Sequence, residues 1–171
     1  QALGYFQQAV AADPGYAPAY SGVADCYSSL GASSVVGGLP PRQAMPEAKA
    51  AALKALDIDD SLAEAHTSLA IVHLLYDWDL PASEKEFKRA GRSQTYAILY
   101  DEVQLELGRR QRYGTQVIVD KAGEPFVLPL EDPDKVDSYL REIGLPPLSD
   151  YLRDVSNAFY RMFLDQRMVY S

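Results

Sequence analysis

Three arginines crowd the stretch Arg109-Arg110-Gln111-Arg112, and Tyr113, Gly114, Thr115 and Gln116 follow without a break. Guanidinium groups offer paired N–H donors that match the oxygens of a carboxylate or phosphate. Arg109, Arg110, Arg112, Tyr113 and Gln116 therefore form a candidate anion or small-molecule site, enzymatic if the complete domain supplies a reaction. A plainer reading competes with this one. Cations after a helix C-terminus follow from the helix dipole alone, and Thr115 with Gln116 can open a strand. No glycine-rich phosphate loop is present, so nucleotide binding has weaker support still.

His66 and His73 are the two histidines, seven residues apart and so on one helix face. A helical metal pair favours an i, i+4 spacing with a carboxylate or cysteine in register, which this pair lacks. Carboxylates cluster at Asp57, Asp59 and Asp60, at Asp77 and Asp79, and at Glu131, Asp132 and Asp134. Each cluster falls in a turn beside a helix, where caps and first-turn charges account for it, and the calcium-loop spacing is absent. Neither a Gly-x-Ser-x-Gly elbow nor a cysteine near a suitable histidine occurs. These residues assign no catalytic group, metal or cofactor, and the chain is not expected to be an enzyme. Cys26, the single cysteine, excludes an intramolecular disulfide and suggests a reducing, cytoplasmic compartment. Its expected place is a buried helix position. Trp78 is expected to pack the corner between two helices, and to serve as a contact residue if it is exposed.

The elements that must position these residues are mostly helices. The chain has 171 residues, of which 47% are apolar, enough for one ordinary domain or two small ones. The net charge of −8 divides as −5 over residues 1–91 (6 basic, 11 acidic) and −3 over residues 92–171 (10 basic, 13 acidic), which argues against general nucleic-acid binding. No apolar run reaches the roughly 18–20 residues needed to span a bilayer, so no membrane partner is expected.

Helices are predicted over about 1–12, 17–30, 43–58, 62–76 and 81–91. The turns between them are Asp13-Pro14-Gly15, Asp59-Asp60-Ser61 with a cap, and the start signal Asp79 followed by Pro81. Along them one pattern recurs. Tyr20, Val23, Ala24, Tyr27 and Gly31 return as His66, Leu69, Ala70, His73 and Asp77 at a constant offset of 46. Ala2, Phe6, Ala9 and Pro14 return as Ala48, Ala52, Ala55 and Asp60, and in part, 35 residues on, as Ser83, Phe87 and Ala90. Fixed periods of this length indicate stacked units. The longer step accommodates a loop at Ala32–Gln43 containing Ser33, Ser34, Gly37, Gly38, Pro40 and Pro41.

These residues resemble the tetratricopeptide repeat over 1–90. The resemblance implies antiparallel helix pairs stacked into an α-solenoid, with Ala24, Ala48, Ala55, Ala70 and Ala90 at close helix contacts and Phe6, Tyr27, Leu69 and Phe87 filling the spaces. It also makes His66 and His73 core residues, at positions held by Tyr20 and Tyr27 one unit earlier. In this register the chain begins inside the second helix of a unit, so its partner helix is expected to lie before Gln1. The pattern stops at Gly91-Arg92-Ser93.

Residues 92–171 are expected to form a small α+β region. Ser93 can cap a helix carrying Tyr96, Leu99, Val103 and Leu107 on one face, with Gly108 at its end. A β-hairpin is predicted over about 115–130 with Lys121–Glu124 in its loop, then helices over about 133–143 and 149–168, the last with a stripe of Leu152, Val155, Phe159, Met162, Phe163 and Gln166. This region resembles a bacterial domain family of unknown function. The resemblance rests on Tyr113-Gly114-Thr115-Gln116, on Glu131-Asp132-Pro133 with Val136 and Asp137, and on Gly144-Leu145-Pro146-Pro147-Leu148. It spans about 95–155 and covers the later half of that family's domain, the repeats standing where the earlier half belongs.

Stacked helix pairs present an inner groove suited to a peptide or partner helix. The groove residues in this register are Ser21, Asp25, Ser28, Glu64, Thr67, Ile71 and Leu74. Repeats that clamp a C-terminal carboxylate use Lys and Asn on this face, and neither is present. The favoured expectation is a non-catalytic interaction scaffold for a basic or amphipathic segment, part of a larger bacterial multidomain protein. The oligomeric state stays open.

Overall fold

Alanine at every third or fourth position strips helix faces of the bulk that keeps axes apart, so close helix packing is built into residues 1–90. The computed structural model describes residues 1–32, 38–120 and 124–169, with side chains through residue 159. The chain is mainly helical, with one small two-stranded antiparallel sheet. It divides into two units, Gln1–Arg92 and Ser93–Ser171.

The first unit contains α1 (Ala2–Ala12), α2 (Ala17–Ala32), α3 (Pro41–Ile58), α4 (Ala63–Val72) and α5 (Leu80–Arg89), with a π turn at His73–Asp77. Helix α2 packs against α1, α3 and α4, and α4 packs against α3 and α5. Its core joins Ala24, Ala51, Ala52 and Leu69 to Val23 and Leu56, and Met45, Ala48 and Val72 to Tyr27. Gly31 marks a close approach of α2 to α3, because a Cβ there would stand 2.9 Å from the Ala44 Cβ. Asp79 caps α5 by accepting the Ala82 N–H at 3.0 Å. At α4 the N-cap is Leu62 rather than Ser61, since Asp59 takes the Ser61 N–H and hydroxyl into its own turn.

Several expectations need correction. The helix predicted to Tyr76 is α-helical only to Val72, after which the π turn ends where the Asp79 N–H reaches back to His73 O at 2.9 Å. Trp78 takes a left-handed φ of 58° and is 58% exposed, so it does not pack the corner. His73 is only half-buried and lies 2.9 Å from an Asp77 oxygen, because residues four apart on a helix share a face. Phe6 is partly exposed rather than interior, and Cys26 is half-buried.

In the second unit are α6 (Ser93–Glu106), β1 (Val117–Val119), β2 (Pro125–Val127), α7 (Val136–Glu142) and α8 (Leu148–Val169). The strands pair with Ile118 opposite Phe126, and both side chains are exposed. Helix α6 buries Tyr96, Ala97, Tyr100, Asp101, Val103 and Gln104, while Leu107 is exposed and Leu99 half-buried. The buried face is thus rotated from the expected stripe towards Asp101. Helix α7 starts three residues later than Pro133 because residues 132–135 close a turn, with the Lys135 N–H on Asp132 O at 3.2 Å. Gly108 ends α6 with φ +70° and lets Arg109 N–H reach Gln104 O at 2.8 Å, a left-handed helix stop.

The expected loop residues Ser33, Ser34 and Gly37 and the hairpin-loop residues Lys121–Gly123 lie outside the described residues. So do the side chains of Met162, Phe163 and Gln166.

Candidate functional site

On the first unit, α2 and α4 bring polar residues to a cavity of about 520 Å³, within the range that holds small molecules or peptide side chains. Four expected groove residues line it: Ser21, Asp25, Glu64 and Thr67. Phe6, Pro18, Gly22, Leu62 and Arg92 complete the wall. Gly22 is what admits Phe6, since a Cβ there would fall 2.4 Å from the ring. Asp25, Glu64 and Arg92 are exposed and make no ion pair among the described residues. Next to Asp25, burial and the neighbouring carboxylate push the Cys26 thiol above its ordinary range.

The expected groove hydroxyls of α2 and α4 divide by partner. Thr67 Oγ1 donates to Ala63 O at 2.8 Å, and Ser28 Oγ donates to Asp25 O at 3.0 Å. Ser21, 4% exposed, makes no such bond, and its Oγ is the one buried side-chain polar atom without a hydrogen-bond partner among the described residues. Three expected groove residues fall elsewhere. Ser28 is buried and spent on its own helix, Leu74 is fully buried, and half-buried Ile71 does not line the cavity.

His66 sits apart from this cavity in the interior, 2% exposed. Its Nδ1 lies 2.5 Å from Glu86 Oε2, and its Nε2 lies 2.9 Å from Asp60 O. A carbonyl only accepts, so Nε2 donates to Asp60 O, and a proton must also lie between Nδ1 and Glu86 Oε2 for that contact to be a hydrogen bond. The ring ties α4 to α5 and to the preceding turn, so both nitrogens are engaged within the protein.

The arginine-rich segment of the second unit is organised by a carboxylate with no exposed surface. Asp101 Oδ1 accepts the Arg112 and Tyr113 N–H groups at 2.8 and 3.0 Å, and its Oδ2 accepts the Thr115 N–H and hydroxyl at 2.9 Å each. Four donors saturate a carboxylate, which is how a buried charge is retained without a cation. Gln111, equally buried, donates to Gln116 O and Leu128 O at 3.0 and 2.7 Å and accepts the Gln116 N–H at 2.9 Å. These bonds hold Thr115 and Gln116 in the loop, which is why the strand begins only at Val117.

The five candidate anion-site residues do not gather around one opening. Arg112 donates to both Glu131 oxygens, at 2.9 and 3.3 Å, and its guanidinium lies 5.2 and 5.3 Å from the Tyr100 and Tyr139 ring centres. The Glu131 hydrogen bonds raise the basicity of that guanidinium. Tyr113 is buried edge-on against Tyr96 and Tyr100, where burial pushes the Tyr100 hydroxyl up as well. Gln116 donates to Ile98 O at 3.3 Å. Arg109 and Arg110 are exposed. A cavity of about 130 Å³ beside the loop is lined by Tyr113, Thr115, Leu140 and Tyr151 but by none of these arginines. Tyr151 donates to Thr115 O at 2.9 Å there.

Sequence reasoning passed over Asp101 and gave no role to Gln111, the two residues that build the loop. The available signal was an acid at Asp101 on the helix face of Ala97, where an exposed helix would carry no such clash with its apolar neighbours. Phe6 and Arg92 were also missed as cavity walls. No group of three or more metal-ligating side chains is assembled among the described residues, and no described helix is long and apolar enough to cross a membrane.

A model of a family of unknown function, DUF6624, matches residues 78–162. The match contains the whole Asp101 loop and the Glu131-Asp132-Pro133 and Gly144-Leu145-Pro146-Pro147-Leu148 segments, and it starts at Trp78 rather than near residue 95, so it takes in α5 as well. No curated protein and no solved structure matches the chain.

Proposed function

We propose that residues 1–92 are a non-catalytic interaction module of stacked helix pairs that receives a basic or amphipathic segment of a partner protein between α2 and α4. The supporting observation is the single cavity shared by Ser21, Asp25, Glu64 and Thr67, four residues drawn from two helices separated by the whole of α3. Two carboxylates at such an opening, without ion pairs among the described residues, attract a cationic segment and raise its association rate. Phe6 and Leu62 add apolar area on which the segment can rest.

Fluorescence anisotropy with labelled basic amphipathic peptides tests the reading on the full chain. Saturable binding is expected, with affinity falling as salt rises and lost in Asp25→Asn/Glu64→Gln at unchanged melting temperature. Equal binding to that variant and to the parent rules the groove out.

A further inference from the structure

The polar inventory of the cavity is lopsided. It offers the Asp25 and Glu64 carboxylates and the Ser21 hydroxyl as acceptors, with Arg92 as the one cationic side chain in its lining. Ser21 carries the decisive detail. Its hydroxyl is withheld from the backbone carbonyl a turn earlier, the partner type that Ser28 and Thr67 both use. A buried hydroxyl left without a partner costs free energy, so its position is understandable where a ligand atom supplies the missing bond.

The cavity's apolar wall adds a shape requirement. Phe6 is fitted against the bare backbone of Gly22, the residue after Ser21 and one helical turn before Asp25. An aromatic face beside carboxylates favours a planar, weakly hydrated cation over a compact ammonium. A guanidinium meets both conditions, because its fork of N–H groups can serve two carboxylates and a hydroxyl while its plane lies along a ring.

We infer that this cavity is an arginine subsite: one arginine side chain of the partner segment donates to Asp25, Glu64 and the Ser21 hydroxyl, with Phe6 against its plane. The assignment rests on the groove reading above. Arg92 opposes a purely basic segment, so Arg92→Glu strengthens the binding of such a peptide a few-fold, the size expected for an exposed charge.

Short random peptides displayed on phage and selected on the full chain provide the probes, and each arginine of the enriched peptides is then replaced by citrulline, its neutral near-isostere. At one position the replacement is expected to weaken binding about tenfold or more, as loss of a charge-assisted hydrogen-bonded contact does. Lysine at that position restores only part of the loss. Ser21→Ala weakens the arginine peptide several-fold and leaves the citrulline peptide unchanged, a readout that general loosening of the fold would not give. Citrulline binding as well as arginine, with Asp25→Asn/Glu64→Gln still abolishing binding, overturns the subsite and leaves the groove standing. Peptides indifferent to that double variant, or no enrichment at all, overturn both.

Discussion

In residues 93–159 the Asp101 carboxylate, the Gln111 amide and the Arg112 guanidinium are all satisfied by groups of their own unit. In residues 1–92, by contrast, Asp25, Glu64 and Arg92 stand without ion pairs among the described residues, and Ser21 keeps a bare hydroxyl. The first pattern is that of a locked loop, the second that of a surface prepared for a partner. The segment with the most distinctive sequence therefore has its Gln111 and Arg112 side chains already spent, while Arg109 and Arg110 stay exposed at its edge. The plain alanine-rich helices gather their open groups at one cavity.

The strongest way to break this contrast is Asp101→Ala. It strands the Arg112, Tyr113 and Thr115 N–H groups, leaves the Thr115 hydroxyl only its longer bond to Ala97 O at 3.4 Å, and should cost about 3–5 kcal/mol, the upper range for a buried polar network. Urea denaturation measures it, and a loss below about 1 kcal/mol would remove the locked-loop account.

Two glycines on one helix sharpen the comparison inside the first unit. Gly31→Ala drives a Cβ against the rigid Ala44 and should cost about 1–3 kcal/mol, as overpacking does. Gly22→Ala first meets the partly exposed Phe6 ring, which can swing aside. Its melting temperature should stay near that of the parent while peptide affinity falls; the reverse ranking of the two variants would contradict the packing described for α2.

Arg112→Ala comes next in size. The Glu131 pair and the ring contacts are partly exposed, so their loss should cost about 1–2 kcal/mol. Binding of phosphate or acetate, followed by NMR shifts of the loop amides, should be weak and alike in variant and parent. A parent-specific response would return the segment to the list of ligand sites.

The smallest effect concerns acid. Lys49, followed by the weaker influence of His73, holds the Asp77 carboxyl below its ordinary range. A depressed folded value stabilises the protein above the unfolded aspartate value, and that stabilisation is lost as pH falls through the folded one. Lys49→Ala should therefore lower stability near neutral pH and flatten its decline below about pH 4. Parallel acid limbs for the two proteins would show that the pair does not contribute.

Much of the architecture could be read from residue spacing. The helices start and stop within a few residues of Asp79, Gly108 and Gly144 because caps and left-handed stops act locally. The site was legible in part. Ser21, Asp25, Glu64 and Thr67 follow from helix register, since residues a turn apart share a face. Leu74 defeated the same logic because the π turn shifts the register after Val72. Trp78 defeated a size argument, its left-handed backbone directing a large ring outward.

The sequence by itself determined where helices form, which residues are small enough to let them touch, and where glycine ends them, because these depend on neighbours within a few positions. Tertiary structure alone decided which polar groups remain free. Asp101 finds donors up to Thr115, Gln111 finds Leu128, and Arg112 finds Glu131, all across intervening turns. Whether a charge is available to a ligand depends on partners that only folding brings within hydrogen-bond reach, and local pattern carries no record of them.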